Sequence, residues 1–228
     1  MADWLMIRPC FDEATEYTFQ EGQDVLDYFA EKEVICIDLA KEQANKEMVK
    51  AVLAAHANVN IAHFDHGNED NWIDNDGQSC MSCETAECLK GRECYCNNCS
   101  SAKNLGVEAF KKGAAAYWGY TNLFVFTTDA IEEFKEFVNH GIKRRVDGLT
   151  WKQCLELTKE LAEKLINLLL QAGKALAASC LRWNCDHLVC YTEDMPPSTD
   201  QTDCPFRKLA IRLFGPQRGW HLRAIFLL

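Results

Sequence analysis

The strongest constraint on the fold is a regular alternation between short apolar runs and longer amphipathic segments. The apolar runs have the length and composition of buried strands, and they cover residues 4–8, 33–39, 59–64 and 93–96. Strands that alternate with helices in this way pair in parallel and carry helices on both faces of the sheet. The sequence therefore predicts an α/β fold, a three-layer α/β/α sandwich with a mainly parallel sheet.

The helical patterns fill the intervals between these strands. They cover residues 16–31, 41–56, 100–112, 129–140 and 150–178, and further strands are predicted at 114–118 and 187–191. Residues 68–90 are polar and predict a long loop that contains several cysteines. We expect one domain over residues 1–195, followed by a separate tail over 196–228.

Charge and cysteine content limit the possible functions. A net charge of −10 argues against a nucleic-acid partner, because phosphate binding needs a basic face. The first residues, with an acid at Asp3, do not resemble a signal peptide, and no apolar run is long enough for a transmembrane segment. We therefore expect a protein of the reducing cytoplasm, in which the 13 cysteines are mostly free thiols or metal ligands. Phosphate-loop and dinucleotide signatures are absent, so no cofactor is expected.

The tail over residues 196–228 differs in composition from the rest of the chain. Between residues 205 and 228 the charged residues are all basic, and apolar residues are interleaved with them. This pattern predicts either a peripheral element docked on an acidic body or a surface that contacts a membrane or a partner. Both alternatives remain open at the level of sequence.

Two of the predicted strands lead into residues that can carry chemistry. His66 and Gly67 follow the strand at 59–64, and Cys99 follows the strand at 93–96. The carboxyl ends of neighbouring parallel strands meet at one edge of a sheet. If a helix opened at Ser100, its positive end would lower the pKa of the Cys99 thiol. We therefore predict a dyad with Cys99 as nucleophile and His66 as general acid/base, and an oxyanion site made by the backbone N–H groups of Gly67 and Cys99.

These two motifs and the segments that follow them resemble the caspase-like cysteine peptidases, in the style of the CHAT, separase and gingipain-type domains. The resemblance is carried by His66-Gly67, Asn98-Cys99-Ser100, Leu105-Gly106, Gly113-Ala114 and Tyr117-Trp118-Gly119-Tyr120. It implies a caspase-like fold, a Cys/His dyad, and hydrolysis of a peptide or protein substrate through a thioester. The His-to-Cys interval departs from the family pattern, because it is short and rich in cysteines.

Related peptidases that cleave after arginine or lysine place an acid in the pocket for that side chain. Asp12, after the first strand, and Asp129, after the fifth, are the candidates for this substrate-binding role. The net charge of −10 agrees with a preference for basic substrates.

Two alternatives compete with the peptidase interpretation. Cys80, Cys83 and Cys88, with Cys94 or Cys96 as the fourth ligand, could form a tetrahedral zinc or iron–sulfur site. The pair Cys96 and Cys99 also has C-x2-C spacing, and a Cys99 that served as a metal ligand could not be a nucleophile. The other alternative is a non-catalytic interaction module on the same fold.

Overall fold

The computed structural model describes residues 4–198 and 224–226. The strands are β1 (Trp4–Arg8), β2 (Cys36–Ala40), β3 (Asn60–Phe64), β4 (Asn71–Ile73), β5 (Ser79–Ser82), β6 (Glu93–Asn97), β7 (Ala116–Tyr120), β8 (Val125–Thr127), β9 (Leu188–Tyr191) and β10 (Ala224–Phe226). The helices are α1 (Glu13–Glu31), α2 (Lys46–Ala55), α3 (Leu105–Lys111), α4 (Ile131–Val146), α5 (Trp151–Gln171) and α6 (Ala175–His187).

The main sheet has six strands in the order β2-β1-β3-β6-β7-β9. Neighbouring strands from β2 to β7 pair in parallel, and β9 pairs antiparallel to β7. Two small sheets accompany it, the hairpin β4–β5 and the pair β8–β10. The prediction of a three-layer α/β/α sandwich with a mainly parallel sheet is confirmed.

Alternating residues of each central strand point to opposite faces of the sheet, which builds two cores. On β3, Ala62 and Phe64 join a core that is shared with α1, α4, α5 and α6. Ile61 joins the second core, which is shared with α2, α3 and the β4–β5 hairpin. Both faces of the sheet are therefore covered, as a parallel sheet requires.

The predicted loop at 68–90 is wrong in part, because it contains the β4–β5 hairpin. The turn of this hairpin is built around Asp74, whose Oδ1 accepts hydrogen bonds from the N–H groups of Asp76 (3.0 Å) and Gln78 (2.8 Å). Its Oδ2 accepts the Lys46 N–H at the start of α2 (2.9 Å). Asp74 thus ties the hairpin to the neighbouring helix.

The predicted helix at 150–178 is two helices, α5 and α6. Gly173, at φ 77°, separates them. A backbone in the left-handed region ends a helix, and glycine adopts it without a Cβ penalty.

The predicted start of a helix at Ser100 is also wrong, because α3 begins at Leu105. Residues 98–104 form turns, and Ser100 lies at φ 57°, in the left-handed region that side chains other than glycine seldom adopt. The chain therefore forms turns directly after Cys99, and the helix begins only at Leu105.

Among residues 4–198 and 224–226, no helix combines the length and apolar character needed to cross a membrane. The basic residues of the predicted tail all lie outside the described residues. A short apolar segment of that tail, Ala224–Phe226, is described and forms β10.

Candidate active site

The histidine half of the site lies where β1 and β3 end. Asp12 caps the N-terminus of α1, and its Oδ1 accepts the Thr15 N–H at 2.8 Å. The other carboxyl oxygen lies 2.7 Å from Nε2 of His66. Burial acts to raise the pKa of Asp12, but the hydrogen bonds from Thr15 and His66 outweigh it and hold the pKa below its usual value. An ionised carboxylate can only accept, so Nε2 of His66 carries the hydrogen in this pair.

His66 is held in a largely enclosed position with one nitrogen unengaged. His66 is 7% exposed. The centroid of its ring lies 5.5 Å from that of the Phe11 ring, and Phe11 is 41% exposed. Among the described residues, Nδ1 of His66 has no hydrogen-bond partner. Nδ1 is therefore the nitrogen of His66 that is left for proton transfer.

The turns after β3 and β6 touch one another. A Cβ placed on Gly67 would lie 2.9 Å from Cγ of Asn98, closer than real Cβ contacts. The amide of Asn98 also lies 2.8 Å from Nδ1 of His63, whose Nε2 is 3.0 Å from the Ile73 carbonyl oxygen. Gly67 thus permits a close approach between the residue after His66 and the residue before Cys99.

Backbone pairing leaves the N–H of Gly67 out of the hairpin. Gly67 faces Trp72 in an antiparallel bridge. The two bonds that flank the bridge run from the Ile73 N–H to the His66 carbonyl and from the Asn68 N–H to the Asn71 carbonyl. Neither bond uses the Gly67 N–H.

The cysteine half of the site is closed to solvent. Cys99 is 1% exposed, and its Sγ accepts the Phe124 N–H at 3.2 Å. Burial raises the pKa of the Cys99 thiol to about 12, although the Phe124 hydrogen bond acts to lower it. The expectation of a lowered thiol pKa is therefore wrong for this conformation, because no helix begins at Ser100 and the thiol is desolvated.

A buried chain of hydrogen bonds holds the turn after Cys99 against the hairpin. Trp72 Nε1 donates to the Tyr117 hydroxyl at 2.9 Å, and that hydroxyl donates to Oγ of Ser101 at 2.9 Å. The Ser100 N–H donates to the Asn122 carbonyl at 2.9 Å. The position of Cys99 is thus fixed by β7, the hairpin and the segment that leads into β8.

The two acids predicted to bind a basic side chain occupy different surroundings. Asp12 is engaged with His66 and with the start of α1, so it is not a separate pocket acid. Asp129 is exposed in the turn before α4, and its carbonyl accepts a hydrogen bond from Lys174 Nζ. No described contact joins Asp129 to His66 or Cys99.

The structure does not bring the proposed zinc ligands together. Cys80 Sγ donates to the Trp72 carbonyl, Cys83 contacts Asp70, and Cys88 is exposed. Cys96 is buried in the same core as Cys94, on one face of β6. Within residues 4–198 and 224–226, no three metal-ligating side chains converge, so Cys80, Cys83, Cys88 and Cys96 do not form a described metal site.

Three residues of the site were missed by sequence reasoning. Asn98 and Phe124 contact Gly67 and Cys99, and nothing in the local sequence distinguishes them. Asp65, next to His66, is fully buried, and burial raises its pKa to about 9. A charged residue at the end of an apolar strand was the available signal for Asp65.

No protein-family model, curated protein or solved structure matches this chain at a significant level.

Proposed function

We propose that the protein is a cysteine endopeptidase in which Cys99 is the nucleophile, His66 is the general acid/base and Asp12 orients His66. The observation that carries the proposal is the placement of His66 on the Asp12 carboxylate, with Gly67 packed against Asn98. This contact joins the two turns immediately beside the histidine and the cysteine. A nucleophile, a base and a group that orients the base are the parts that acyl transfer requires.

The proposed reaction begins when Nδ1 of His66 takes the proton of the Cys99 thiol. Sγ of Cys99 then forms a bond with the carbonyl carbon of the scissile peptide, and the carbonyl oxygen becomes negative. The N–H groups of Gly67 and Cys99 stabilise this oxyanion. His66 gives its proton to the leaving amine, which yields a thioester on Cys99, and water activated by His66 hydrolyses the thioester.

The proposal includes a conformational change at Cys99. In the conformation described, the thiol is protonated at neutral pH and buried. A substrate carbonyl can reach Sγ only after the segment around Phe124 moves away from it. The described conformation therefore corresponds to a resting state of the proposed enzyme.

A basic residue before the scissile bond is the preference proposed for the substrate. It rests on the net charge of −10, because Asp12 is engaged with His66 and no described contact joins Asp129 to the dyad. A panel of peptides that differ only at this residue tests the preference. Faster cleavage after aspartate or a neutral residue would overturn it without affecting the dyad.

A reducing, cytoplasmic setting also belongs to the proposal. The twelve cysteines in the described part of the chain are all free. Unpaired thiols in this number are typical of proteins kept in a reducing compartment.

The decisive experiment compares peptide hydrolysis by the wild-type chain with that by Cys99→Ala and His66→Ala. Each variant should lose at least about 1,000-fold in kcat/KM, because nucleophile and base act as one unit. Cys96→Ala is the matched control, since it removes a buried cysteine from β6, the strand that leads to Cys99, but from the core on the α2 and α3 side of the sheet. Hydrolysis that persists in Cys99→Ala and disappears in Cys96→Ala would overturn the assignment.

A non-catalytic interaction module is the second candidate, and the burial of Cys99 favours it. On this alternative, the wild-type chain hydrolyses no peptide, and brief iodoacetamide treatment leaves Cys99 unmodified under all activating conditions. Alkylation of Cys99 that depends on His66 would argue for the peptidase instead.

A further inference from the structure

The strand β8 has two backbone edges, and each has a different occupant. The N–H of Val125 donates to Oδ1 of Asn184 at 3.0 Å, and the Asn184 amide donates to the Val125 carbonyl at 2.6 Å. Since successive residues of a strand direct their backbone groups to opposite edges, Phe124 and Phe126 face the other edge. On that edge, the Phe124 N–H reaches Sγ of Cys99.

The chain's own strand β10 occupies the same edge, one step along β8. It pairs antiparallel, with Ala224 opposite Thr127, Ile225 opposite Phe126 and Phe226 opposite Val125. Because Val125 is engaged with Asn184, the backbone groups of Phe126 are the ones that meet β10. The register also fixes a direction: from Ala224 to Phe226, β10 runs towards the Phe124 end of β8, where Cys99 lies.

We propose that Ala224–Phe226 is an autoinhibitory strand, which occupies the edge of β8 that an extended substrate peptide must use. The inference rests on the proposed function, because it assigns the substrate to the Cys99 site. A peptide that replaced β10 and ran in the same direction would pair antiparallel with β8 through main-chain hydrogen bonds. Its chain would then run towards Cys99 and could present a carbonyl to Sγ.

Competition of this kind requires that the covering strand can be displaced. In the described structure, β10 has three residues, and β8 is its only partner strand. An isolated pair of short strands is marginally stable in water, so a peptide of comparable length can exchange with it. The ligand class is thus an extended peptide recognised through its backbone.

The test uses Ile225→Pro in the full chain, with Ile225→Val as the matched control. Proline removes the N–H that faces Phe126, whereas valine keeps both the N–H and the strand preference. We expect Cys99 to be alkylated by iodoacetamide at least about tenfold faster in Ile225→Pro than in the wild type, the factor that corresponds to losing about one or two hydrogen bonds. Ile225→Val should react at the wild-type rate.

A synthetic peptide that carries residues 220–228 supplies an add-back measurement. It should restore protection of Cys99 in Ile225→Pro as its concentration rises, and the same peptide with proline in place of Ile225 should not. Hydrogen exchange checks the contact directly, since the Phe126 amide should exchange more slowly in the wild type than in Ile225→Pro. Equal exchange at Phe126 in the two chains, or unchanged alkylation in Ile225→Pro, would overturn the inference.

Peptide hydrolysis separates this inference from the proposed function. Faster alkylation together with faster hydrolysis supports both. Faster alkylation of Cys99 with no hydrolysis in any variant retains β10 as the strand that restricts access to Cys99 along the edge of β8 and overturns the peptidase. Hydrolysis that depends on Cys99 but is equal in the wild type and Ile225→Pro retains the peptidase and overturns the autoinhibitory strand.

Discussion

The ends of β3 and β6 lie at the same edge of the sheet, yet their two candidate residues differ in readiness. His66, after β3, is already oriented by the Asp12 carboxylate and keeps Nδ1 unengaged among the described residues. Cys99, after β6, is buried, hydrogen-bonded by the Phe124 N–H, and has a thiol pKa of about 12. The residue proposed as the base is thus oriented, while the residue proposed as the nucleophile is covered.

This difference indicates that the two halves of the site are controlled by separate parts of the molecule. The position of His66 depends on the start of α1, where Asp12 also serves as the N-cap. The state of Cys99 depends on the segment around Phe124, which leads into β8. Activation in the proposed mechanism therefore needs movement on the cysteine side only.

The largest expected effect concerns the histidine half. Asp12→Asn keeps a good N-cap for α1 but removes the negative charge that holds Nε2 of His66. We expect kcat/KM for peptide hydrolysis to fall by at least about 100-fold, with the melting temperature little changed. Asp12→Ala is the comparison, since it should also lose about 1 kcal/mol of stability with the cap. Full activity in Asp12→Asn would show that the charge of Asp12 is not needed to orient His66.

A smaller effect is expected where the two halves meet. Gly67→Ala places a Cβ against the Asn98 side chain, so urea unfolding should show a loss of about 1–3 kcal/mol. Asn98→Ala removes Cγ and Oδ1, two of the three obstructing atoms, and leaves Cβ at 3.0 Å; it also deprives His63 of a partner. In the double variant, the cost of Gly67→Ala should therefore be smaller than in the wild type. Additive costs would mean that the two turns are not in contact.

The pH dependence of stability tests whether burial suppresses ionisation at this edge generally, as it does for the Cys99 thiol, and the effect within one pH unit is small. Burial raises the pKa of Asp65 from its usual 3.8 to about 9. Between these values the unfolded chain releases a proton that the folded chain keeps, so stability should fall as pH rises, by about 1.4 kcal/mol per pH unit. Asp65→Asn should flatten the pH dependence of the unfolding free energy by about that slope. Equal slopes in the variant and the wild type would show that Asp65 is ionised when folded.

The sheet was predictable because its strands are short apolar runs separated by amphipathic segments. β1 was predicted with its observed bounds, and β3 and β6 to within one residue at each end. The β4–β5 hairpin was missed because its strands are short and partly polar. Its signal was Asp76-Gly77, a turn pair between two short runs, with Gly77 at φ 69°.

The site was harder to predict, because its state depends on contacts between distant segments. The placement of His66 and Cys99 after neighbouring strands followed from the alternation, and β3 and β6 are indeed neighbours. The partner of His66 and the cover of Cys99 could not be predicted. Asp12 lies 54 residues from His66 in sequence, and Phe124 lies 25 residues from Cys99. The left-handed turn at Ser100, which displaces the helix start, also has no signal in residue type, since serine seldom adopts it.

The pairing of β10 with β8 has a consequence for biosynthesis. The two strands are separated by about 100 residues, which a ribosome adds in roughly 5–20 s. During this interval, the nascent chain presents β8 with an edge that any extended polypeptide nearby could pair with. Newly made chains are therefore expected to depend on chaperones until residues 224–226 emerge, and chains that end before residue 224 should aggregate more readily than chains that contain 224–226.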